Sequence, residues 1–191
     1  MALSVPEIAS GDLLIAVIGQ DGAGTFTWPG SWAELVDLGA GTVSSLHIAY
    51  LIASGGEKTV VPTSTVSERS SHLVLRIAAS AWHGTTPPEV TTATGTSATP
   101  NPPSLTPSWG SADTLWIASF VIDDPAVSFP VTGWPTSYSG NQVSCGSGDA
   151  STAGIAVATR GLAATTEDPG SFSTTASDNW AAATIAVRPG A

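Results

Sequence analysis

Cysteine is all but missing. The 191 residues hold one, Cys145, which excludes an intramolecular disulfide framework. Positive charge is nearly as scarce. Lys58, Arg69, Arg76, Arg160 and Arg188 stand against fifteen acidic residues, for a formal net charge of -10. Such a surface repels phosphate backbones and anionic leaflets alike, so neither nucleic acid nor membrane is an expected partner. Charged residues of both signs reach only 10%, well under the usual quarter. No apolar run approaches the ~20 residues that span a bilayer. The run at 13–18 is too short and too far in for a signal-peptide core, and Met1-Ala2-Leu3-Ser4-Val5-Pro6-Glu7 has no basic stretch before it. No Asn-x-Ser/Thr sequon occurs: Asn101 precedes Pro, and Asn141 and Asn179 lack the third residue. A product made in the cytoplasm is expected. Low charge does not mean low hydrophobicity here. At 42% apolar residues there is ample material to bury, which excludes disorder driven by charge.

What is present is a pattern that occurs twice. Residues 12–18 read Asp-Leu-Leu-Ile-Ala-Val-Ile, and residues 113–122 read Asp-Thr-Leu-Trp-Ile-Ala-Ser-Phe-Val-Ile. Each follows a Gly/Ser turn and leads to an acidic turn, Gln20-Asp21-Gly22 or Asp123-Asp124-Pro125. A Phe, a Pro and a Trp come next in both, as Phe26, Pro29 and Trp32 and as Phe129, Pro130 and Trp134. Ala16 and Ala118 share the spacing of Trp32 and Trp134. Ile48-Ala49-Tyr50 then matches Ile155-Ala156-Val157, and residues 71–78 match 179–186. An ordered series of this kind over roughly 80 residues indicates a duplicated unit.

The unit reads as strands. Its apolar segments are short, rich in Val, Ile, Leu and Thr, and bounded by Gly, Pro, Ser or Asp. Leu73, Leu75 and Ile77 alternate with His72, Val74 and Arg76, the period of a strand with one buried face. Ser31-Trp32-Ala33-Glu34 resembles a helix start, but its counterpart Gly133-Trp134-Pro135-Thr136 carries Pro, so a turn followed by a strand is expected in both halves. The segment 84–110 holds Pro87, Pro88, Pro100, Pro102, Pro103 and Pro107 among Thr and Ser. Because proline cannot donate to a ladder, it is expected to be an extended arm or surface loop, either a linker between two domains or, the preferred reading, a crossover over one shared sandwich. Two thin halves bury more apolar surface pooled than apart. The expected fold is therefore all-β: an antiparallel, jelly-roll-like β-sandwich made of an N-terminal arm (1–9), a first half (10–83), the crossover (84–110) and a second half (111–191).

Chemistry-bearing residues are few. No Gly-x-Ser-x-Gly elbow occurs. Ser144-Cys145-Gly146-Ser147-Gly148-Asp149 is read as a glycine-rich turn with a buried or half-buried thiol. His47, His72 and His83 lack zinc-site spacing and are read as solvent-facing strand histidines. Asp123-Asp124 and Glu167-Asp168 each precede Pro and are read as turn carboxylates, not a glycosidase pair or a calcium loop. No catalytic residue, metal or cofactor is assigned. Seven tryptophans are the remaining anomaly. Trp32, Trp116, Trp134 and Trp180 fall at strand or matched positions and read as core anchors. Trp28, Trp82 and Trp109 sit beside Pro, His or the Pro-rich segment, and are the candidate binding residues for a protein partner or a host glycan.

Gly11-Asp12-Leu13-Leu14-Ile15-Ala16-Val17, the turn Pro29-Gly30-Ser31-Trp32, Ile48-Ala49-Tyr50 and Gly55-Gly56-Glu57-Lys58 resemble a family of β-sandwich proteins found in tailed bacteriophages, prophages and some bacterial surface proteins. The likeness covers mainly residues 10–80. It departs from the family where Ser31 precedes Trp32 and where Lys58 stands for a common Pro, and it marks scaffold turns, not a site. The resemblance implies a virion-associated structural role, such as a capsid decoration (cement) subunit or a tail-surface component. Its partners would be the major capsid protein or other virion subunits, with the chain a homo-oligomer on the particle. The other reading is a glycan-binding adhesion module of a tail tip or fibre.

Overall fold

The computed structural model describes residues 7–57, 59–123, 131–145, 153–175 and 177–190. They are all-β, with thirteen strands and one 3-10 turn at Ala79–Ala81. The first half supplies β1 (Leu13–Asp21), β2 (Phe26–Thr27), β3 (Ala33–Ala40), β4 (Ser44–Ile52), β5 (Thr63–Ser64) and β6 (Ser70–Ile77). The crossover supplies β7 (Glu89–Ser97). The second half supplies β8 (Ala112–Asp123), β9 (Val131–Gly133), β10 (Ser139–Cys145), β11 (Ala153–Ala164), β12 (Ser173–Thr174) and β13 (Asp178–Val187). A strand after the Trp turn appears in both halves, as β3 and β10.

Two antiparallel sheets carry the fold, one in the order β3-β4-β1-β6 and the other β10-β11-β8-β13-β7. Their inner faces share one core. Leu13, Ile15 and Val17 of β1 and Leu46 and Ile48 of β4 pack with Ile117, Val121, Ile155, Val157 and Ile185 of the other sheet. Each half keeps its long strands in a single sheet, with a separate small pair, β2-β5 or β9-β12. Jelly-roll connectivity, with strands passing between layers at successive turns, is not what this order describes.

Both outer faces are covered as well, which corrects the expectation of one buried face. Ile8, Leu51, Ala53, Trp32 and Val74 close over Leu14 outside the first sheet. Outside the second, Phe172, Tyr138, Leu105, Trp109 and Trp134 cover Phe120, Trp116 and Ala158. This double cover explains why β1 and β8 read as near-continuous apolar runs where β6 alternates.

The proline-rich segment runs along the second sheet. Nine residues of its longest proline-free run, 89–97, form edge strand β7 on β13. The rest is a strap, with Pro100, Pro102, Leu105 and Pro107 buried against the second sheet. Leu105 and Glu167 exchange both backbone hydrogen bonds (2.9 and 3.0 Å), and Phe172 N donates to Pro100 O at 2.9 Å. The Thr184 hydroxyl donates to Pro103 O at 2.6 Å. Proline fits because an outer strap needs no continuous ladder, and its acceptors are met by side chains and loops. A strap held in this way is expected to resist limited proteolysis in the free protein. Cleavage within 98–107 before global unfolding, read by mass spectrometry, would contradict that.

Candidate functional site

The tryptophan sites separate. Trp82 is 2% exposed and donates its indole N–H to Gly11 O at 2.9 Å, so it anchors the core and presents no face to a ligand. That removes it as a binding residue. Trp109 is half-buried, its N–H given to Thr114 Oγ1 at 3.0 Å and its ring packed in the outer cluster. Trp28 is half-buried between two rings: Trp32 stacks on it at 5.8 Å and 25°, and Phe26 lies 6.3 Å away. A sugar ring needs an open aromatic face, and Trp32 stacks on one of those of Trp28. Of the expected core anchors, Trp116 and Trp180 are buried, while Trp32 and Trp134 are half-buried.

Glu167 and Asp168 are turned to separate partners. Glu167 is 6% exposed and held by Arg160 Nη1 at 2.9 Å. Asp168 accepts from Gly170 N in a turn at 3.3 Å. Burial, and the Glu167 carboxylate beside it, push the Tyr138 hydroxyl far above its ordinary range. Asp124 and 146–149 lie outside the described residues. Cys145 is exposed, not buried as its neighbours suggest. Among the described residues no group of three or more His, Cys, Asp or Glu comes together that could hold a metal.

One polar cluster escaped sequence reasoning. His47, expected to face solvent, is fully buried. Its Nε2 lies 2.9 Å from Ser45 Oγ and its Nδ1 lies 2.9 Å from Asp37 Oδ1. These are the contacts of a Ser-His-Asp hydrolase triad. Access is not. Ser45 is fully buried, its hydroxyl donates to Gly22 O at 3.0 Å, and the Phe26 ring covers the imidazole at 4.3 Å. The cluster is closed as folded, beneath the β2–β5 flap. Ser45 and His47, two apart on β4, share a face by simple alternation, which was readable. Asp37 joins them only through the β3–β4 register. Nearby, burial and the Asp37 charge raise the pKa of Glu34.

Burial under Phe26 lowers the His47 pKa, and the part-exposed Asp37 carboxylate opposes this incompletely. A base whose folded pKa is depressed contributes stability above its unfolded value, near 6.5, and loses it as pH falls from there through the folded value. The wild type should therefore lose urea resistance between about pH 7 and pH 5.5. His47→Gln should be less stable at pH 7 and flatter across that window. Parallel slopes would contradict the assignment.

The open space lies elsewhere, at one lateral side of the two-sheet body. A cleft of about 490 Å³ runs between the sheets where β6 and β10 are both edge strands. Residues 74–77 form one wall, and Leu115, Gly140, Gln142 and Thr159 the other. Four consecutive residues can line one cleft only if it follows the backbone edge of their strand, since alternate side chains point to opposite faces. A smaller cavity of about 220 Å³ sits outside the first sheet, walled in part by Phe26, His72 and the exposed Val61. No family model, curated protein or solved structure matches this chain.

Proposed function

We propose that this chain is a structural component of a tailed-bacteriophage virion, a capsid decoration subunit or tail-surface protein that acts by protein–protein binding. The observation that carries the binding role is the cleft along the free edge of β6. It is a regular eight-residue strand without proline or bulge, and three successive apolar residues, Leu73, Val74 and Leu75, are half-exposed there. Edges of this kind are what proteins usually blunt when they have no partner to pair with. The resemblance of the Gly-Asp-Leu-Leu and Pro-Gly-Ser-Trp segments to phage β-sandwich proteins supports placement on a virion. A net charge of -10 favours a position away from packaged DNA.

We also infer a doubled ancestral unit. In relative chain order β3-β4-β1-β6 reads the same as β10-β11-β8-β13, and the small pair β2-β5 corresponds to β9-β12. The strap is packed, so docking falls to the open side and to the N-terminal arm at 1–9, of which 1–6 lie outside the described residues.

The test is stoichiometry on purified particles by quantitative mass spectrometry. Many copies per particle are expected, and absence from particles ends the virion reading. A Val74→Pro chain, folded by circular dichroism, should fail to bind particles stripped of the protein. Undiminished binding would move the docking surface elsewhere.

A further inference from the structure

The same open side has a complement on the same molecule. The hydrogen bond from Asp21 N to Arg69 O fixes the phase of the β1–β6 ladder, so Ser70, His72, Val74 and Arg76 turn their backbone groups away from β1. The bond from Gly22 N to Val43 O fixes the phase of β1–β4, and the β3 register then leaves Asp37 and Gly39 facing outward on the opposite edge. All three strand pairs of this sheet are antiparallel, so β3 and β6 run in opposite senses. A second copy displaced sideways sets β6 of one against β3 of the next as a continuing antiparallel ladder.

Charge and apolar surface agree with that placement. Among the described residues the β6–β10 cleft is lined by one cation, Arg76, and by no carboxylate. The far side carries Glu34 and Asp37 on β3 and Glu89 on β7. Opposite charges thus meet head to tail, whereas two β3 edges would repel. With Arg76 opposite Asp37 and Val74 opposite Gly39, the outward backbone groups of both strands coincide. Leu75 then meets Leu38 and Ile77 meets Val36, all members of the inner core. A guanidinium has donors beyond the Nε that Asp12 takes, and a carboxylate has a second oxygen beyond the one facing His47.

We infer that the chain self-associates head to tail, with the β6 edge of one copy pairing with the β3 edge of the next. Heterologous contacts of this kind build rings or filaments, not closed pairs. The inference rests on the binding reading of the open side given above, and names a second copy as its occupant.

The test is disulfide trapping of the full chain. Gly39→Cys and Val74→Cys are combined with Cys145→Ser. Gly39 has room, since a Cβ there first meets Gly41 O at 3.5 Å. Within one copy the two edges are three strands, about 14 Å, apart, so no internal bridge can form. Mild oxidation at the highest soluble concentration should give a reducible ladder of dimer, trimer and higher species, and only when both cysteines are present. A dimer from Val74→Cys alone would show a symmetric β6–β6 pair and overturn the inference. So would the absence of any interchain bridge. Neither result bears on copy number in particles, so the two proposals fail separately.

Discussion

Asp12→Ala should destabilise the protein by about 2–4 kcal/mol, a large share of the stability of an ordinary domain. Asp12 is 1% exposed and satisfies three separate parts of the chain. It accepts from Ala9 N at 2.9 Å, from Ala79 N at 3.0 Å and from Arg76 Nε. Alanine leaves two amides and the Arg76 guanidinium without that acceptor; the guanidinium reaches water, so the cost falls mainly on the two amides, each losing its hydrogen-bond partner. Urea denaturation measures the loss. Less than about 1 kcal/mol would mean that water replaces the carboxylate.

The same group gives an acid signature. Burial alone would raise the Asp12 pKa, but hydrogen bonds from Ala9, Arg76 and Ala79 and the Arg76 charge outweigh it, and the net direction is down. A depressed acid stabilises the fold above its unfolded pKa, near 3.9, and that contribution disappears as pH falls through the lower folded value. Asp12→Asn should therefore be less stable at pH 7 and converge toward the wild type in strong acid. A constant difference across pH would refute the linkage.

Gly19→Ala is the second large effect, expected to cost about 1–3 kcal/mol although it adds one methyl group. A Cβ at Gly19 would lie 2.6 Å from Val121 Cγ2 and deeper still inside contact with Ile155 Cγ2, both in the facing sheet. The backbone there is ordinary strand, so the obstacle is the distance between sheets, not conformation. For a chain of this length the loss corresponds to roughly 2–4 °C of Tm per kcal/mol. Gly30→Ala, with nothing within 4 Å of its would-be Cβ, is the control. Equal melting of the Gly19 and Gly30 variants would show that the sheets can move apart freely.

The Gly-Asp-Leu-Leu segment shows how far a motif can be read. It reads as a scaffold turn, and the contacts explain why. Gly11 adopts φ +88°, its carbonyl takes the Trp82 indole, and Asp12 gathers the three donors. Sequence spacing supplied no hint of those partners, because Ala79, Arg76 and Trp82 lie more than sixty residues away.

The matching of the halves shows a subtler limit. Ile48 pairs with Val17 and Ile155 with Val121, while Ile77 pairs with Leu13 and Ile185 with Ile117. Laying β4 on β11 and β6 on β13 therefore sets Val17 on Val121, two residues away from the Ala16–Ala118 alignment. A slip of two keeps every side chain on its face, so a hydrophobic pattern cannot detect it.

From its residues alone, this protein is committed to short strands, a large apolar interior, an acidic surface and turns at fixed places, since these follow from local propensity and from which side chains water rejects. Only the tertiary structure decided that Asp37 reaches the Ser-x-His of β4, that the prolines form a strap, that Trp82 is inside, and that β6 and β3 are left as edges of opposite charge. The reason is physical: alternation along a strand tells a side chain which face it takes, but the neighbour across the ladder is chosen by register and sheet order.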